Sequence, residues 1–289
     1  MWYWTRGFAS MSKLDIFFDL KKSTSALTGL VLISLIVLVA LFGPWIAPAD
    51  PLLPSPLIRL QGPSSQHLFG TDSLGRDMLS RVIYGARISL MIGIISVTIS
   101  LVPGTILGLI SGYFGKRIDS IIMRCMDMLL AFPAILLAIF ITAILEPSLT
   151  NTMVAVGIVY IPHYARIVRS SVLSLKGMLF VQAVSHLGGG HLRILLKHIL
   201  PNCLPPIIVY ATLGMGTAVL QAAALGFLGL GAQPPSPEWG AMLSEGRQYI
   251  QLAPHVAAFP GAAILILVLG FNLFGDGLRD VLDPSLRSQ

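Results

Sequence analysis

Six apolar stretches, each long enough to cross a lipid bilayer, leave this chain few ways to fold. They cover about 26–46, 88–111, 121–145, 152–168, 203–230 and 255–274. A helix needs about 20 mostly apolar residues to cross the hydrocarbon core. Inside lipid, every backbone N–H and C=O must find a partner within the protein, which favours helices for single segments. The expectation is an all-α polytopic membrane protein with six transmembrane helices. Composition agrees, because charged residues are 11% of the chain, where soluble domains hold about a quarter. The run at 26–46 exceeds the length of a signal-peptide core, so a cleaved leader is not expected.

A net charge of +6 raises nucleic acid as a partner. The distribution of that charge argues against it. With the N-terminus placed inside, 14 of the 19 Lys and Arg residues fall on the inner side. Four of the five outer ones, Arg59, Arg76, Arg81 and Arg87, share one long loop, and Arg247 is the fifth. Positive charge gathers on the cytoplasmic side of membrane proteins, which selects cytoplasmic N- and C-termini. Residues 1–25 form a cytoplasmic segment in this reading, and 26–289 form the membrane domain. Trp2, Tyr3 and Trp4, followed by Arg6 and Lys13, suit a membrane interface. Met11 is an alternative start.

Several side chains inside or near the spans invite a local reading. Gly104 and Gly108, four apart, allow close helix contact, and Pro103 is placed to bend the same helix. Arg124 and Asp127, three apart, fit a pair on one face near the interface. His163 has no second ligand beside it in the sequence and reads as a hydrogen-bonded structural residue rather than a metal ligand. Cys125 and Cys203 read as small packing residues, without disulfide or metal spacing. Trp239, in the Pro-rich loop 231–254, suits the membrane interface.

The stretch 175–202 differs from its surroundings. It reads as two short helices broken at Gly188-Gly189-Gly190, since consecutive glycines disfavour a continuous helix. Leu192, Leu195, Leu196 and Ile199 then make one apolar face, and Pro201 marks a stop. Two functions fit: an amphipathic helix resting on lipid, or a bracket that a partner pushes to move the flanking spans.

The chain carries no phosphate-cradling G-x-x-x-x-G-K motif. No Ser/His/Asp, Cys/His or zinc-spaced set is recognisable. Energy for work must therefore come from a partner, and the chain reads as a permease rather than an enzyme. A stand-alone secondary carrier predicts inverted repeats and ionisable residues at mid-span, and an intramembrane enzyme predicts paired catalytic groups at depth. Neither pattern is seen.

Three motifs carry a family resemblance. Gln182-Ala183-Val184, then Gly188, then His198-Ile199-Leu200-Pro201 resemble the "EAA…G…LP" loop of ABC importer permeases. Phe69 to Asp77 is similar to the "FGTDxLGRD" string of the C-type permease of dipeptide, oligopeptide and nickel importers. The run GFLGLGAQPPSPEWGAML and the terminus from Gly275 to Pro284, "GDxLRDxLDP", resemble the same subfamily. Gln182 replaces the usual Glu and Val184 the usual second Ala, removing a charge from the loop.

The resemblance implies a type I importer permease fold with a cytoplasmic coupling helix. It implies that Gln182, Ala183, Gly188, Arg193, His198 and Pro201 serve ATPase coupling. It places Thr71, Asp72, Gly75, Arg76, Asp77, Glu238 and Trp239 near the dock of an extracytoplasmic solute-binding protein. The implied partners are that protein, a second homologous permease and two ATPase subunits, in the lipid bilayer of the inner membrane. ATP and Mg would belong to the ATPase. The implied cargo is a di- or oligopeptide, with nickel, a metallophore complex or glutathione as the alternative.

Overall fold

The computed structural model describes Leu20 and residues 23–282. The expectations for the aromatic and cationic N-terminus, and for Asp283 and Pro284, lie outside the described residues. Nine helices follow in order among the described residues: α1 Thr24–Ile46, α2 Met78–Phe114, α3 Lys116–Leu130, α4 Ala134–Leu145, α5 Leu149–Lys176, α6 Leu179–His186, α7 His191–Phe227, α8 Trp239–Gly246 and α9 His255–Leu282. Four of them, α1, α2, α7 and α9, are long and apolar enough to span a bilayer alone. The pairs α3–α4 and α5–α6 pass only together, bent by 89° and 72°.

Helix ends follow local chemistry. Ser23 caps α1 by accepting from the Ala26 N–H, and Asp77 caps α2 by accepting from the Ser80 N–H. Such caps satisfy amides that the first helical turn leaves unpaired. The α2 helix starts ten residues before the apolar run at 88–111. Its first turns carry Arg81, fully buried, which a hydropathy window excludes and an ion-pair network accommodates.

Glycines set how closely the helices approach. A Cβ at Gly104 would stand 2.5 Å from the Tyr164 Cβ, and one at Gly108 would stand 2.6 Å from the Ala165 carbonyl oxygen. Gly112 faces Val172 in the same way. The expected close contact is therefore made, and α5 is its partner. Between α1 and α9, Gly29 and Gly277 permit the same approach, against Phe274 and Ala26. In lipid, van der Waals contact and not water expulsion holds helices together, so each such approach counts.

Three expectations are corrected. The stretch 121–145 is not one helix. Pro133 cannot donate and disfavours helical backbone at Phe132, so α3 ends at Leu130 and α4 begins after Pro133. Asp127 does not pair with Arg124: Arg166 of α5 donates to it at 2.6 Å. Pro201 does not stop a helix. The helix runs from His191 through Pro201, Pro205 and Pro206. A π turn over Ile194–Ile199 immediately precedes Pro201. Such a turn absorbs a missing donor and the ring's clash with the preceding turn.

Candidate functional site

Two regions hold the motif residues, named outer and inner after the topology expected from the sequence. The outer one joins residues 47–87 to 231–254. Asp72 is its centre. Its carboxylate accepts from the backbone N–H of Leu74 (2.8 Å) and Arg76 (2.9 Å), and from the Arg76 Nε at 2.6 Å. The Arg76 Nη2 donates at 2.8 Å to Glu245, which follows 169 residues later. Arg81 lies 3.4 Å from both Asp72 and Glu245. Two guanidiniums thus balance two carboxylates. Gly75 turns the chain at φ +76°, and a Cβ there would collide with the Ser55 carbonyl oxygen. The expected turn thus requires glycine twice over, by backbone angle and by space.

Other bonds close the cap. Asp77 accepts from Ser80 and contacts the His67 ring at 2.9 Å. The Thr71 hydroxyl donates to the Ile58 carbonyl, and the Thr71 carbonyl meets His255 of α9 at 3.1 Å. Phe69 stacks on Phe259 with centroids 3.9 Å apart. Glu238 caps α8 by accepting from Gly240 (2.8 Å) and Ala241 (2.7 Å). Burial pushes its carboxyl above the usual carboxylate range, and the two amides oppose that rise. The Trp239 Nε1 donates to the Val82 carbonyl at 3.0 Å. Trp239 is 2% exposed, so it does not anchor at the membrane interface. Its indole fills the space left by Gly85. All seven residues expected near the dock are buried.

The inner region has the opposite character. After α5, the chain bends into α6, which shows Gln182 and Ala183 on its exposed side and buries Val181 beneath. Gln182 reaches back to the Gly177 carbonyl at 3.2 Å. Gly188, at φ +81°, ends the helix, and the Gly189 N–H returns to the Val184 carbonyl at 2.9 Å. This left-handed close is the common glycine terminator. Gly190 then opens α7. Arg193 and Pro201 are exposed and His198 is half-buried. Leu179, Leu187 and Leu192 stand out at 82%, 88% and 70% exposure. Apolar side chains this exposed, grouped around one short helix, mark an interaction surface.

A clasp that the sequence did not reveal fixes this bracket to α2. The Tyr113 hydroxyl and the His191 Nδ1 are 2.9 Å apart. The His191 ring sits edge-on to Tyr113 and Phe114. Lys176, from the other end of the bracket, donates to the Tyr113 carbonyl and lies over its ring. Both ends of the bracket are thus tied to the last turn of α2. Beside it, Arg169 makes two bonds of 2.6 Å to Asp119 of α3. No sequence pattern links Tyr113 to His191, because 78 residues separate them.

Among the described residues, no group of three or more His, Cys, Asp or Glu side chains is placed to hold a metal ion. His163 packs against the Tyr160 ring. Cys125 is exposed and Cys203 is buried.

Comparison with known proteins gives a consistent picture. The chain is 54% identical over 274 residues to the dipeptide transport system permease protein DppC of Alkalihalophilus pseudofirmus, covering 95% of this chain and 90% of that one. It is 51% identical to the di/tripeptide permease protein of Pseudomonas aeruginosa, covering 91% and 89%. It is 48% identical to the glutathione transport system permease protein GsiD of Escherichia coli, covering 92% and 88%. In fold it is similar to a chain of the inward-facing MetNI methionine ABC transporter, with TM-score 0.57, 22% identity, and coverage of 71% of this chain and 97% of that one. Residues 14–63 match the N-terminal TM domain of oligopeptide transport permease C. Residues 104–288 match the binding-protein-dependent transport system inner membrane component, and the chain belongs to that family of multi-pass membrane permeases.

Proposed function

We propose that the chain is one of two homologous permeases in an ATP-driven importer of di- and oligopeptides. The observation that carries this reading is the inner bracket: an exposed short helix ringed by Leu179, Leu187 and Leu192, lying between α5 and α7 and clasped to α2. Two ATPase subunits, holding ATP and Mg, would close on each other and press on α6. The clasp passes that motion to α2 at Tyr113, and α5 and α7 carry it directly. An extracytoplasmic binding protein delivers the cargo to the outer cap, whose buried motif residues set the cap's shape while exposed neighbours make the contact. The sorting of Lys and Arg supports cytoplasmic N- and C-termini.

Peptide cargo is favoured by identities of 54% and 51% to peptide permeases. Glutathione is the second reading, favoured by 48% identity to a glutathione permease. Purification of the tagged chain with its genomic neighbours, followed by uptake in proteoliposomes, separates the two. A complex containing ATPase that imports a labelled dipeptide, with glutathione competing poorly, is the expected result. Uptake without any ATPase would overturn the reading. The lever role is tested by Gly188→Pro and Arg193→Glu, which should both reduce stimulation of ATP hydrolysis by loaded binding protein. Unchanged stimulation in both would remove it.

A further inference from the structure

Hydrocarbon offers hydroxyl and imidazole groups no hydrogen bond, so polar side chains left partly uncovered on membrane helices face protein or water. Two such stripes lie side by side here. On α5, Tyr160, His163 and Ile167 recur at helical spacing and are half-buried. On α7, Tyr210, Leu213, Thr217 and Gln221 do the same. Gln221 lies beside Tyr160 across the gap.

Behind the stripes is a cavity of about 100 Å³, with Ser100, Tyr160, Tyr164, Tyr210, Gly214 and Thr217 in its wall. That volume admits several water molecules or one small polar group. The hydroxyl of Tyr164, a residue only 2% exposed, lies beside the Ser100 hydroxyl but makes no hydrogen bond of ordinary geometry among the described residues. Ser100 directs its own proton to the Ser96 and Val97 carbonyls, each at 3.0 Å. Tyr210 meets Tyr164 ring edge to ring face, not through its oxygen. Gly214 keeps the space open, since a Cβ there would stand 2.7 Å from the Tyr164 oxygen. A buried hydroxyl left without a partner is unfavourable, so a polar guest is favoured at this spot. Among the described residues, no Asp, Glu, Lys or Arg lines the cavity.

We propose that Tyr160, Tyr164, Tyr210 and Thr217 form a neutral hydrogen-bonding station for translocated cargo, taking peptide amide groups in passing and water between passages. The inference rests on the peptide-import reading above. A neutral lining suits transit, because a site on a path must bind well enough to admit and weakly enough to release. A fixed charge would hold one terminus of a zwitterion. Amides are common to every peptide, so hydroxyls that recognise them are indifferent to side-chain identity.

The test uses the whole importer, with ATPase and binding protein, in proteoliposomes. Tyr164→Phe keeps the ring and removes the hydroxyl, and Thr217→Val removes a hydroxyl at nearly constant volume. Losing one hydrogen bond of about 1 kcal/mol corresponds to roughly five-fold. Each variant should lower the ratio of dipeptide moved to ATP hydrolysed by about that factor. An unchanged ratio overturns the station, whether uptake is normal or falls together with hydrolysis, as a merely structural defect would make it. A second arm places Thr217→Cys in a Cys125→Ser background and adds a charged thiol reagent. Reaction shows that the stripe meets water, and failure to react overturns the proposal. If the unaltered importer moves glutathione and not dipeptides while Thr217→Cys still reacts, the dipeptide reading falls and the ratios are measured with glutathione.

Discussion

The outer cap and the inner bracket are built on opposite principles, although both carry family motifs. In the cap, the motif side chains point inward. Asp72, Arg76 and Arg81 are 0–2% exposed and pair with one another and with Glu245. Charges taken from water must be matched nearly completely, so this region tolerates little change. In the bracket, Gln182 and Arg193 face out, and a thin layer of Val181, Ile194 and Leu195, with the clasp on Tyr113, holds the element down. A motif turned inward preserves a shape for a partner to read. In the importer proposed above, a motif turned outward is itself the surface that the partner touches.

Four tests would break or sharpen that contrast. Arg76→Ala has the largest expected effect. It leaves Arg81, 3.4 Å away, as the remaining cation beside both Asp72 and Glu245, and breaking a buried pair costs about 3–5 kcal/mol. Thermal unfolding in detergent should show a large loss, and an unchanged midpoint would mean that the cap is not held by its charges. Gly75→Ala and Gly188→Ala form the next test. Both glycines have positive φ, but a Cβ at Gly75 meets the Ser55 carbonyl while one at Gly188 meets nothing within 4 Å. The second should cost only the left-handed backbone penalty of about 1–2 kcal/mol, and the first distinctly more. Equal losses would erase the structural difference between the regions.

His191→Ala comes third. It removes one hydrogen bond and two ring contacts, so stability should fall by only about 1 kcal/mol. Transport per ATP should nevertheless fall several-fold, and Tyr113→Phe should reproduce part of that loss. Normal coupling in both would show that α2 receives no motion through the clasp. Asp127→Asn has the smallest expected effect. Its pair with Arg166 is more than half exposed on both sides, and such pairs contribute about 0–1 kcal/mol. A loss above about 2 kcal/mol would show that α3 is fastened to α5 through this pair more firmly than its exposure suggests.

The expected run 26–46 and the observed α1 differ by only two residues at the start, because each residue's own preference for lipid sets such a boundary. The break at Gly188 was equally legible, since a positive φ is a demand on that residue alone. The bend at Pro133 was harder to anticipate, because Pro44, Pro103 and Pro162 sit inside helices that continue. Whether a proline ends a helix depends on whether neighbours support the turn before it. Trp239 was misplaced at the interface because an aromatic in a Pro-rich loop gives no sign of the Gly85 space that receives it.

Sequence alone determined that the chain lies in a membrane and which stretches are apolar enough to enter it. These properties are sums over individual residues and need no knowledge of neighbours. Tertiary structure alone decided that Arg76 meets Glu245, that Asp127 meets Arg166 and that His191 meets Tyr113. Each pairing joins groups dozens of residues apart, and only the packing of the folded chain brings them within hydrogen-bond distance.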